Sequence, residues 1–116
     1  MLTIDPSTFA SLTRVEEQRY VEQLTAFLRE NVPSLATEPN PAMQEQVRLL
    51  LQEARSFGMT SEQSVAVYVL TAAQLGVDFV RRFRGAYQIV TAAISQEEKS
   101  ELLEAFSVNL LDILER

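Results

Sequence analysis

The chain has 116 residues, of which 47% are hydrophobic and 22% charged, the composition of one ordinary globular domain, and we expect residues 1–116 to form one. It contains neither Cys nor His, which excludes disulfides, thiolate nucleophiles, Cys- or His-based metal sites and any Ser-His-Asp triad. Its net charge of −6 disfavours phosphate backbones and anionic membranes as partners. With three Gly and four Pro, turns are few and regular segments long, which favours helices over a many-turned β fold.

Asp5-Pro6 reads as a cap followed by proline at the first helical position, with Ile4 and Phe9 at the staple positions. Phe9 and Leu12 start an apolar face that Tyr20, Val21, Leu24, Phe27 and Leu28 resume at helical spacing. A second capping box over Thr13–Glu16 leaves two options, one helix from about residue 6 to 31 or a short helix leading into a longer one. Val32-Pro33 ends it, because a residue before proline avoids the α region. After the proline-punctuated stretch 33–40, Asn40-Pro41 repeats the start signal. The next helix carries Met43, Val47, Leu50, Leu51 and Ala54 on one face and stops at Gly58.

The segment 61–75 has the valines of a buried strand. However, Thr60-Ser61-Glu62-Gln63 reads as a capping box and Gly76 as a stop about four turns later, so the spacing predicts a helix. Val65, Val67, Tyr68, Val69, Leu70, Ala72, Ala73 and Leu75 cover most of its circumference, so it should be the most enclosed element. Residues 79–94 form either one helix or a turn plus a helix, and Gly85 favours a break. Ser95-Gln96-Glu97-Glu98 is a third capping box. The last helix, to about residue 115, bears Leu102, Leu103, Phe106, Leu110, Leu111, Ile113 and Leu114. The fold class is all-α, a compact bundle of five or six helices around the helix at 61–75.

Chemistry is sparse. Three glycines make no phosphate-cradling loop, and the one lysine, Lys99, sits among glutamates that keep an amine charged rather than nucleophilic. No catalytic, cofactor or metal residue is expected. Glu97, Glu101 and Glu104 fall along one helical face beside Glu98. They are read as a solvated outer face opposite Leu102 and Leu103, as an acidic docking stripe, or as a Mg²⁺ or Ca²⁺ site that lacks convergent ligands. Arg81, Arg82, Phe83 and Arg84 concentrate three of the ten basic residues around an aromatic. Either the phenylalanines Phe79 and Phe83 enter the core while the arginines meet internal carboxylates, or the tetrad is a partner-binding edge. A broad apolar face on both the 61–75 and the C-terminal helix could leave a patch for a homodimer, so monomer and homodimer are both open.

The spacing Phe57-Gly58-Met59-Thr60-Ser61-Glu62, an apolar helix, then Leu75-Gly76-Val77-Asp78-Phe79, resembles a group of small helical bacterial proteins encoded beside type VI secretion effector or spike genes. Arg19-Tyr20-Val21, Leu24, Leu28-Arg29-Glu30 and Pro33 extend the likeness over most of residues 15 to 80. Where that group reads Gly-Pro-Asp-Phe, this chain has Gly-Val-Asp-Phe. The resemblance implies a non-enzymatic accessory role, binding a secreted effector or toxin as immunity protein or chaperone. The alternatives are a self-associating structural or regulatory protein and a carboxylate-dependent enzyme. The opening segment lacks a basic region followed by an apolar one, and no apolar run approaches the ~20 residues that span a bilayer, so a cytoplasmic protein is expected.

Overall fold

Six α-helices and one 3-10 turn carry the backbone in the computed structural model, which describes residues 6–114, with side chains from residue 16 onward. In order these are α1 (Pro6–Asn31), the turn Pro33–Leu35, α2 (Asn40–Ser56), α3 (Glu62–Leu75), α4 (Phe79–Arg82), α5 (Arg84–Thr91) and α6 (Gln96–Leu114). No strand occurs among the described residues, so the fold is all-α. The Asp5 cap and the Ile4–Phe9 staple lie outside the described residues. Backbone contacts group the chain into two compact units, Met1–Gln44 and Glu45–Arg116, with the division inside α2.

In the first unit α1 is one continuous helix, so the stretch Thr13–Glu16 does not open a second one. Val21, Leu24, Thr25 and Leu28 form its buried stripe, and the Thr25 hydroxyl donates to the Val21 carbonyl at 2.7 Å. Phe27, expected on this stripe, is exposed instead. It stands two residues from Thr25, a step that turns the helix by ~200° and carries Phe27 away from the stripe centred there. Val32 is extended (φ −124°, ψ 94°), as its place before Pro33 requires. The Arg29 guanidinium donates to the carbonyls of Ala36 and Glu38, which ties the turn back to α1. The Met43 amide bonds to the Pro39 carbonyl, so α2 starts at Asn40 itself rather than one residue later.

The buried face of α2 is Met43, Val47, Leu50, Leu51 and Ala54, the face its periodicity marks. Its C-terminus is a Schellman closure, in which the Met59 amide bonds to Ala54 and the Gly58 amide to Arg55, both at 3.0 Å. Gly58 supplies the left-handed φ of +79° that this closure needs. Ala54 and Met59, which flank it, are both fully buried.

In the second unit α3 is the enclosed helix: from Ser64 to Ala73 no residue is exposed. Its cap is Ser61, not Thr60. The Ser61 hydroxyl accepts from the Ser64 amide at 3.1 Å, one residue later than the sequence suggested. Gly76, at φ 112° and ψ 148°, ends the helix in a conformation closed to other residues. The valines that would suit a strand stay helical because both ends are specified and burial outweighs their small propensity cost. Tyr68 anchors the interior between Phe57 (ring centroids 6.2 Å apart) and Phe79 (5.1 Å). Complete burial of Phe79 contributes roughly 1.5–3 kcal/mol.

The region 79–94 does break, but at Phe83, which is extended at φ −116° and ψ 110°. Gly85 lies within α5, where a Cβ would sit 2.8 Å from Cε2 of Phe106. The glycine therefore serves close approach of α5 to α6, not interruption. Helix α5 also stops at Thr91, short of Ile94. The Ser95 cap forms as expected, its hydroxyl accepting from the Glu98 amide at 3.1 Å.

Candidate functional site

The arginine tetrad straddles the junction between α4 and α5. Phe79 enters the core completely, whereas Phe83 is half-buried and packs edge-on against Phe106 of α6 with ring centroids 6.0 Å apart. Arg82 is held locally. Its guanidinium lies 3.8 Å from the Asp78 carboxylate, 3.5 Å from the Leu75 carbonyl and 5.4 Å from the Phe83 ring centroid. Its carboxylate partner is thus in the turn before α4. Arg81 and Arg84 are exposed and make no ion pair or hydrogen bond among the described residues. The extended backbone at Phe83 interrupts the helical register between Arg81 and Arg84, and the Phe83 ring is itself anchored by Phe106.

Glu97, Glu101 and Glu104 are all exposed on α6, as their spacing predicts, and none pairs with a cation among the described residues. No group of three acidic side chains that could hold a metal ion occurs among the described residues. The outer face is not opposite both leucines: Leu103 is fully buried, but Leu102 is 46% exposed. The tetrad and the acidic residues belong to the same unit, yet the fold does not bring them into ion pairs.

Lys99 has a structural task that sequence spacing does not reveal. It is buried and donates from Nζ to the Phe57 carbonyl at 2.7 Å, so it closes the C-terminal end of α2 from a position forty-two residues away. Gln96 has a second such task that its place inside the Ser95–Glu98 capping box does not signal. Its Oε1 accepts from the amides of both Thr60 and Ser61, each at 2.9 Å. The Gln96 carbonyl lies 2.9 Å from the Ser100 hydroxyl, which is also 2.9 Å from the Ser64 hydroxyl. These bonds fasten the start of α6 to the start of α3 and leave the buried serines satisfied. The one buried phenol is different: Tyr68 Oη has no hydrogen bond of good geometry. Burial, and then the nearby Glu53 carboxylate, push its pKa well above the ordinary phenol value, while Arg81 pulls weakly the other way.

No family model, curated protein or solved structure matches the chain. Among the described residues no helix is long and apolar enough to cross a membrane.

Proposed function

We propose that this protein is a non-enzymatic binding module that recognises an acidic surface on another protein through the α4–α5 edge. The observation that carries this reading is that two exposed guanidiniums, Arg81 and Arg84, with no ion pair or hydrogen bond among the described residues, lie next in the chain to the anchored ring of Phe83. Arginine and aromatic side chains combine hydrogen-bonding forks with apolar area, the combination that dominates protein interfaces. The ring gives up little rotamer freedom on binding because Phe106 already holds it, and Arg82 is fixed by Asp78. By contrast, Lys99, Gln96, Ser64 and Ser100 are engaged within the fold, which favours recognition over chemistry.

The narrower role, as a cytoplasmic immunity protein or chaperone for a secreted bacterial effector, rests on the resemblance of residues 15 to 80 alone. Co-expression with the product of the adjacent reading frame tests both levels. A stable complex that disappears with Arg81→Glu/Arg84→Glu, while the helical circular dichroism spectrum is unchanged, is the expected result. A complex that survives both reversals would refute the arginine edge as the binding surface.

A further inference from the structure

The outer side of α6 that α3 and α5 leave uncovered carries Leu102 (46% exposed), Asn109 and Ile113 (61% exposed). With the half-buried Phe106, these residues follow one another at steps of four, three and four, the spacing of a coiled-coil seam. The two flanks of the seam carry opposite charge. On one side, at 3.6 residues per turn, stand Glu98, Glu101 and Asp112. On the other lies α5, whose Gly85 meets the Phe106 ring, with Arg84 immediately before it and Arg81 in α4, beyond the bend at Phe83. Arg81, Arg84 and Glu101 find no ion pair among the described residues.

We infer that a second copy of this chain docks along this seam with the two α6 helices parallel. This inference rests on reading Arg81 and Arg84 as a binding edge, and it names an acidic surface that the edge fits. Symmetry decides the direction. A two-fold axis running along the seam swaps the flanks, so the arginine edge of each copy faces the acidic flank of the other. A two-fold axis across the seam gives antiparallel helices and sets like flank against like, arginines on arginines and carboxylates on carboxylates. The parallel arrangement also brings Asn109 against its own copy, where two amides can pair, the device that fixes register in parallel helix pairs. The seam covers about three turns, so the dimer is weak and salt-sensitive.

The chain has no cysteine, which makes single-cysteine cross-linking direct. All the positions to be changed are exposed, and circular dichroism confirms that each variant keeps its helices. Leu102→Cys and Asn109→Cys, each oxidised alone, are expected to give disulfide-linked dimers faster than Glu104→Cys, which lies off the seam. Light scattering at low salt is expected to give twice 13.1 kDa, falling toward 13.1 kDa in about 1 M salt, where the Debye length is about 3 Å. Arg81→Glu/Arg84→Glu is expected to weaken association by about tenfold or more. A mass that stays at 13.1 kDa at low salt overturns the dimer and leaves the hetero-partner reading standing. Cross-linking only when Leu102→Cys and Ile113→Cys chains are mixed, the pair that an antiparallel seam sets face to face, overturns the parallel arrangement. A dimer indifferent to the arginine reversals overturns the charge argument.

Discussion

Replacing Lys99 by Met tests whether one distant amine closes α2. The substitution keeps an unbranched apolar stem, one atom shorter than lysine, and removes the charged donor. The Phe57 carbonyl, 2.7 Å from Nζ, then loses its partner. A hydrogen bond from a charged group is worth about 1.5–3 kcal/mol, and a cation at a helix C-terminus adds about 0.3–1 kcal/mol. Against this, the largely buried ammonium no longer has to be desolvated, which returns part of the loss. The net expectation is a destabilisation of about 1–3 kcal/mol, or a fall in Tm of several degrees for a chain of this size. Urea denaturation should show a lower midpoint with an unchanged m-value. Gly58→Ala serves as a comparison at the same helix end. Its Cβ would meet Lys99 Nζ only at an ordinary 3.8 Å, so its cost of about 1–2 kcal/mol comes from the φ of +79° alone. If Lys99→Met were as stable as the wild type within about 0.5 kcal/mol, the lysine would be no more than a surface residue and the closure argument would fail.

Three further outcomes are expected. Ser61→Ala should cost about 1 kcal/mol in chemical denaturation and Thr60→Ala almost nothing, because the Ser61 hydroxyl caps α3 while Thr60 contributes its amide; equal effects would contradict the cap assignment. Gly76→Ala should cost about 2 kcal/mol or more. Its φ is 112°, and a Cβ would lie 3.1 Å from Asp78 Oδ1 and 3.2 Å from Arg82 Nη1; a thermal shift no larger than that of Gly58→Ala would contradict this. The raised Tyr68 pKa makes the folded state hold its phenolic proton after the unfolded chain has begun to lose it near pH 10. Stability from this group is therefore complete below pH 10 and falls above it by about 1.4 kcal/mol per pH unit. Tyr68→Phe should lack that fall and be near-neutral or slightly stabilising at pH 8, since it deletes a buried hydroxyl that makes no hydrogen bond of good geometry and removes it from the Glu53 carboxylate. Denaturation of both proteins at pH 8 and pH 11 measures the difference, and identical pH dependence would rule out a buried, protonated phenol.

The helices were legible because their ends and faces are local. Val32-Pro33, the Ser95 cap and the left-handed Gly58 each act through neighbouring backbone, and the α2 stripe from Met43 to Ala54 repeats at the helical period. The shift of the α3 cap from Thr60 to Ser61 shows where local signals tie. Two adjacent hydroxyl residues can both cap, and Gln96, from α6, takes the amides of both. Gly85 shows the same limit. In isolation it reads as a helix interruption, but beside Phe106 it is the residue that lets two helices touch.

The candidate edge was only half legible. The cluster of Arg81, Arg82, Phe83 and Arg84 was visible as composition, and so was the exposed run Glu97, Glu101 and Glu104. Which arginine is consumed and which are free depended on Asp78 and on the bend at Phe83.

The sequence by itself determined the all-α class, the order of the helices and the enclosure of α3. Caps, prolines, glycines and apolar period act over a few residues and need no knowledge of what packs where. Only the tertiary structure decided that Lys99 closes α2, that Gln96 clasps the start of α3 and that Arg81 and Arg84 make no ion pair among the described residues. The first two outcomes depend on pairings across 35 to 42 residues, and a hydrogen bond leaves no periodic trace in the chain that makes it.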